Sequence, residues 1–592
     1  MTQSPLAYRS RLLRIVLRVA LLACFGVPSI GTAQQRLPLG AGAVVIVHGQ
    51  VVDALTRRPL PRALVSIEGD AATGALTDGD GRFEIPAVPA GQQVFRVLKP
   101  GFLNAGAETG AVFGAGETHN VLVAADMPGL LLSLWPASAV QGHITLASGE
   151  AAEAIPVILL RRTVDNGRSL WSASGFTRTN SEGNYRFSGL GSGTYVVYTL
   201  PKMGAEVAGG MVDVNHGPLG TRGGYPSVYY PDARDISRAA SIRLKVGEQA
   251  QANIDLPLLP FHVVVLKVSL PAVPTNARRN DDALNSLQNP NVTITDGEGH
   301  QLPYAGAFDV STHTVQTNLP DGTYAVTFAA MSSVGSGLRE SSTRLLSGSA
   351  ELTLDAHANP EPPIVLDPLE PIPIHLRLPR SAQRQSSLGA GAAQGAAASS
   401  SAFSPVNAFL TPIDGLSQTL AFTTLSPNAA DTLEVLPISA GAFWASATVG
   451  TNGLCIGSFV AGSTDLAREA LKINPTIALG AMELSVRDDC ATLNLALPGS
   501  FALLPGIEPA YTVYVVPDFD STATMTPYTL RPSSGGVVVA TNLTPGDYHV
   551  YTFATPVELE YRSRAAMATF SGQAITLAPS SSSNLMLEAP GQ

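Results

Sequence analysis

Three groups of residues in the 592-residue chain have types and spacings that could do chemistry. The stretch "TDGDGRFE" places Asp78, Asp80 and Glu84 within seven positions, and hard carboxylate oxygens suit a calcium ion. Its glycine comes too early for a twelve-residue calcium loop, and Asp-Gly is also the strongest short hairpin signal, so the turn is favoured over the metal. "GGYPSVYYPDARD" gathers Tyr225, Tyr229, Tyr230, Asp232 and Asp235, a mixture of aromatic rings and carboxylates that could hold a sugar or a protein surface. The same residues would equally pack as a loop over a sandwich edge, and that reading is favoured. Cys455 and Cys490 could pair in an oxidising compartment, closing a loop worth about 4 kcal/mol on the chain-entropy argument, or remain two buried thiols.

Other chemistry is missing from the sequence. None of the ten histidines stands in a His-x-x-Glu pair, and His-Glu-x-x-His, Gly-x-Ser-x-Gly and the phosphate-binding Gly-x-x-x-x-Gly-Lys-Ser/Thr are absent. The expectation is a protein without enzymatic activity and without a cofactor. Its net charge of −10, with no cluster of basic residues, argues against nucleic acid as a partner.

The elements that must position these residues are short strands. Glycine (56) and proline (44) are abundant, only 14% of residues are charged, and long runs with helical spacing are scarce, which favours strands joined by tight turns. A chain of this length exceeds what one core fills, so several domains are expected. One turn-and-strand motif recurs as "AVPAGQQVFRV", "GLGSGTYVVYT", "NLPDGTYAVTF", "PISAGAFWASA" and "NLTPGDYHVYT", with turn glycines Gly91, Gly193, Gly322, Gly441 and Gly546. The repeats lie roughly 100 to 130 residues apart, the size of a β-sandwich. In each, apolar residues alternate on either side of the turn, so one face packs on a core. The glycine is expected at positive φ. His549, between Tyr548 and Val550, is expected to face outward.

The pattern in residues 45–102 is more specific. Gly49, Val51, Asp53, Thr56, Pro59, Ala63, Val65, Thr77, Asp78, Gly81, Phe83 and Gly91 fall where the carboxypeptidase regulatory-like domain carries its signature residues, and this segment resembles that family. Gln93 departs from the tyrosine or phenylalanine of the later copies. The second module repeats the hairpin as Thr179, Asn180, Gly183, Tyr185 and Phe187. The resemblance implies a prealbumin-like sandwich of seven or so strands, grouped with carbohydrate-binding-like folds, which in metallocarboxypeptidases does no chemistry itself.

The resulting expectation is all-β: tandem Ig-like or prealbumin-like β-sandwich modules over 44–126, 135–257, 261–370, 371–488 and 489–592, in an elongated array with proline-stiffened joints. A low-complexity insertion at 381–401 is expected to be disordered, and one short helix is expected near Ser463–Leu471, capped by Ser463 or Thr464. Residues 1–33 read as an export signal, with Arg9, Arg11, Arg14 and Arg18, an apolar core and cleavage after Ala33; losing these four positive charges takes the net charge from −10 to −14. Cys24 sits in a poor lipoprotein box, because bulky Leu22 stands where a small residue is usual. No later stretch is long enough to span a bilayer as a helix. Together these readings point to an exported protein of the periplasm, outer cell surface or extracellular space. It would act as a scaffold or bind a glycan or an envelope protein. The alternative is an accessory subunit of an outer-membrane transporter or secreted hydrolase.

Overall fold

The computed structural model describes residues 44–588 except 104–116, 126, 204–220, 272–283, 298–299, 335–341, 356–361, 369–371, 380–405, 414–422, 426–431, 436–440, 451–452, 474–480, 499–510, 532–535 and 555–556. The signal segment with Cys24 and the 381–401 insertion lie outside the described residues.

In the first module, alternation sorts residues between core and water. The strand Arg82–Pro89 alternates exposed and buried positions, and Phe83, Ile85 and Val88 enter a core with Val47, Val51, Phe95, Val97 and Leu132. Two sheets enclose this core. One has three strands, with Val44–Asp53 between Arg82–Pro89 and Leu130–Leu134; the other has four, in the order Asp70–Leu76, Leu64–Ile67, Gly91–Leu98, Glu117–Val123. The last strand, Leu130–Leu134, runs parallel to the first and lies beyond the expected boundary at 126.

All five modules repeat the placing of the opening strand, although the sheets that hold it have six strands in modules three and four. In each, the opening strand is flanked on one side by an antiparallel strand and on the other by the module's own parallel closing strand: Ser138–Leu146 with Gln249–Gln251, Leu259–Ser269 with Ile364–Val365, Ile372–Arg377 with Met482–Arg487, and Ala491–Ala496 with Ser582–Met586. Because first and last strands are parallel, the chain enters at one end of a module and leaves at the other, which suits a tandem order. Each sandwich has its own buried cluster.

The recurring turn has a hydrogen bond that explains its third residue. Tyr195 donates to the carbonyl of Gly191 at 3.0 Å and Tyr548 to that of Thr544 at 2.6 Å, while Tyr324 reaches Asp321 at 3.4 Å. Gln93, the departure in the first module, does the same work through its amide, donating to Pro89 at 3.2 Å. The turn glycines Gly91, Gly193, Gly322 and Gly546 have φ of 115°, 157°, 158° and 153°. At Gly546 space matters too, since a Cβ would lie 2.5 Å from the Phe519 ring.

Two expectations are corrected. No helix forms at Ser463–Leu471: Thr464 and Asp465 pair with Val460 and Ala461 as a strand, and Asp465, rather than Ser463 or Thr464, caps the single turn that follows by accepting from Ala467 N at 3.0 Å. A short helix occurs instead at Arg564–Met567, with Ser563 as its N-cap. The array is also not simply elongated. Thr221–Tyr225 of the second module pairs with Leu259–Ser269, so modules two and three share a sheet, and the second module folds back onto the fourth and fifth.

Candidate functional site: an arginine-lined cleft where three modules meet

The fold-back starts in a hairpin. Strands Pro156–Asp165 and Arg168–Arg178 are joined by Asn166-Gly167, with φ of 46° and 73°. Positive φ at both central residues is the tight two-residue turn that Asn-Gly favours. The tip therefore projects as a rigid finger carrying Arg161, Arg162 and Arg168.

The finger docks on the segment between the strands Gly546–Phe553 and Gln573–Leu577 of the fifth module. Arg161, whose side chain is only 5% exposed, meets Glu558 at 2.9 Å, and Arg162 meets Glu560 at 3.0 Å. Tyr561 donates to Asn166 Oδ1 at 2.6 Å, and its ring lies so close to Gly167 that a Cβ there would fall 2.4 Å from it. Arg562 donates to the carbonyls of Asn166 at 2.8 Å and Ala523 at 3.1 Å, and also to Ser521. Arg168 stacks on Trp444 of the fourth module, 3.4 Å from the ring centroid. A desolvated contact of this kind is worth about 2 kcal/mol. Matched charges and an aromatic seat for the finger thus account for the closure.

Modules four and five are joined separately. Cys455 and Cys490 form a disulfide, with Cα atoms 5.8 Å apart. Ala447 exchanges backbone hydrogen bonds with Thr522 and Thr524, and Thr544 donates to Ile456 at 2.6 Å. A cavity of ≈ 260 Å³ lined by uncharged residues lies along this seam.

Between finger, fourth and fifth modules lies a larger cleft of ≈ 530 Å³, within the size range of small-molecule sites. Arg168, Arg468, Arg562 and Arg564 line it, against two carboxylates, Asp518 and Asp520, with Tyr551, Tyr561 and Phe519 as aromatic walls. Asp520 is engaged by Arg468 at 2.8 Å and Asp518 by His549 at 2.7 Å. Burial and the neighbouring Arg562 charge lower the Arg168 pKa to about 10, burial also lowers that of Arg562, and burial pushes the Tyr561 hydroxyl up to about 12. The cleft is thus a positively charged depression on an acidic chain.

The residues singled out from sequence do not build this cleft. Tyr229 is 1% exposed and stacks on Tyr198 at 4.7 Å, Tyr225 and Tyr230 pack against the module-two core, and Asp235 caps the turn Ile236–Arg238. Of that group only Asp232 is exposed; Tyr229 and Asp235 are buried, and half-buried Tyr225 and Tyr230 secure the loop to the sandwich. Asp78 accepts from the backbone of Asp80 at 2.9 Å and Arg82 at 2.8 Å, closing the hairpin, and Glu84 points outward on the following strand. Among the described residues no group of three or more His, Cys, Asp or Glu could hold a metal ion. The cleft arginines were missed because they come from three segments, around Arg168, Arg468 and Arg562, that sequence proximity does not connect. The one local hint was an Asn-Gly turn flanked by arginines, "RRTVDNGR".

Comparison with known proteins places the first module. Residues 46–125 match the family model of the carboxypeptidase regulatory-like domain. Similar solved structures include the minor pilin GBS52 of Streptococcus agalactiae, 14% identical over 39% of this chain and 100% of that one, with a TM-score of 0.19. Another is the shaft pilin SpaA of Lactobacillus rhamnosus GG, 11% identical over 36% and 97%, with a TM-score of 0.17. The Bacillus anthracis TIE protein is 8% identical over 92% and 74%, with a TM-score of 0.14. No curated protein matches the sequence.

Proposed function

We propose that this is an exported, non-catalytic scaffold of the bacterial envelope, whose linked sandwiches hold an envelope glycan or protein partner. The supporting observation is the clasp: a finger of module two, fixed to module five by Arg161–Glu558 and Tyr561–Asn166 and to module four by Arg168 on Trp444, ties modules two, four and five into one unit. Such cross-linking builds a fixed presenting surface from domains that would otherwise be joined only through their connecting segments. The match of the first module to a regulatory-like rather than a catalytic domain family supports the same reading. No helix among the described residues is long and apolar enough to cross a membrane.

Two measurements test this together. Fractionation of producing cells, with protease added from outside, is expected to find the protein in the envelope or medium and not the cytoplasm. A hydrolase panel on the purified chain, with and without added zinc, is expected to show no turnover. Cytoplasmic retention would refute export, and zinc-dependent peptide release would refute the non-catalytic role.

A further inference from the structure

The cleft between the finger and modules four and five has more cation than its own carboxylates neutralise. Of its four arginines, only Arg468 has a carboxylate at ion-pair distance, Asp520 at 2.8 Å with Asp465 at 3.5 Å behind it. Arg168, Arg562 and Arg564 have none among the described residues. Two of these three are held in place by other means: Arg168 by the Trp444 ring, Arg562 by the carbonyls of Asn166, Ser521 and Ala523. Those bonds occupy three of the five N–H donors of Arg562, and Arg168 gives a single long contact of 3.5 Å to Ala467. Preorganised guanidinium groups with unspent donors suit an oxyanion, and the fork geometry favours carboxylate and phosphate.

We propose that this cleft binds a small organic oxyanion, a carboxylate or a phosphate monoester carried on a body the size of a sugar ring. Arg168 and Arg562 form the fixed floor of the site. Exposed Arg564, at the start of the short helix, closes on the anion from the rim. Tyr551 and Phe519 offer apolar wall for the ring. Burial lowers the pKa of both Arg168 and Arg562, and the Arg562 charge lowers that of Arg168 further, so an anion placed between the two guanidinium groups offsets the cost of burying them. The proposal does not depend on export or on an envelope partner, because it concerns a soluble ligand and the purified chain.

Three probes with one carbon skeleton test it: glucose, glucuronate and glucose 6-phosphate, titrated against the full chain and followed by ligand-observed NMR. Saturable binding of at least one charged probe is expected, weakened by salt, with glucose failing to compete; the ranking of the two charged probes tells carboxylate from phosphate. Arg564→Ala should weaken binding about tenfold and Arg564→Lys less, since lysine keeps the charge and loses the fork. Arg564 is exposed, so both variants should fold as the parent does, which thermal unfolding verifies. Absence of saturable binding by either charged probe, equal binding of glucose, or an unchanged affinity in Arg564→Ala would each overturn the proposal.

Discussion

The hydroxyl of Tyr561 donates to Asn166 Oδ1 at 2.6 Å across 395 positions of sequence, joining the fifth module to the second. Beneath this bond the tyrosine ring covers Gly167, the one residue of the finger tip where a side chain cannot be placed without displacing the ring. Gly167→Val should therefore open the clasp while leaving each sandwich folded. Small-angle scattering should report a larger radius of gyration with unchanged far-ultraviolet dichroism. An unaltered scattering profile would show that the finger does not hold the modules together.

The Arg161–Glu558 pair makes a sharper test of the same contact. Removing one partner of a buried pair leaves an uncompensated charge, at a cost of about 3 to 5 kcal/mol. Glu558 is partly exposed, which moves the expectation for Glu558→Gln toward the lower end. A double-mutant cycle with Arg161→Met, followed by denaturant unfolding, should give a coupling well above that of a surface ion pair. A coupling near zero would assign the closure to Tyr561, Arg562 and the Trp444 seat alone.

His119 gives the first module an acid sensitivity. Burial lowers its pKa from 6.5 to about 4, and its Nε2 is enclosed without a hydrogen-bond partner. The unfolded chain thus takes up this proton at higher pH than the folded one. The stabilisation is complete above 6.5 and is lost as the pH falls toward 4, amounting to about 3 kcal/mol from the shift. His119→Gln should flatten that part of the stability profile in chemical denaturation between neutral pH and pH 4. An identical slope in parent and variant would place the acid sensitivity elsewhere.

The Cys455–Cys490 bond spans a separation of 35 residues across the boundary of modules four and five. Paired Cys→Ser substitution should lower unfolding free energy by about 4 kcal/mol on the chain-entropy argument. The loss should appear in the transition of modules four and five and spare the first module. Equal denaturation midpoints with and without reductant would contradict this.

Gln93 offers a conservative check on the repeated turn. Gln93→Leu should cost about 1 kcal/mol through loss of its bond to Pro89, whereas Gln93→Tyr should be tolerated, because Tyr195 and Tyr548 make that bond in other modules. Thermal unfolding distinguishes the two, and equal losses would mean that the side-chain bond is not what the position requires.

Features determined locally were legible from sequence. The Gly-x-Tyr turns, the alternation around Phe83 and Ile85, and the Asp78 hairpin each depend on residues a few positions apart, and so the sandwich class and the repeats could be read directly. The cleft depends on Arg168 meeting Trp444 and on Arg562 bonding to Gly167, groups from three modules that no periodicity connects. The tyrosines of "SVYYPDARD" are ambiguous in sequence for a related reason, although the packed loop is the favoured reading. Aromatic residues beside carboxylates suit a binding surface or a packed loop equally well, and what decides is Tyr198, thirty-odd positions upstream, which takes Tyr229 into a buried stack.

The clasp also sets how the chain would bear tension. A pull applied between the first and fifth modules enters the second module and can cross to the fifth through the finger, without passing through the third or along the proline-rich joint after it. The third module, paired with the second through Thr221–Tyr225, then lies off the load path and is shielded until the finger releases. Such a molecule would lengthen in two stages, first yielding stored contour between modules two and five, and only afterwards loading the individual sandwiches.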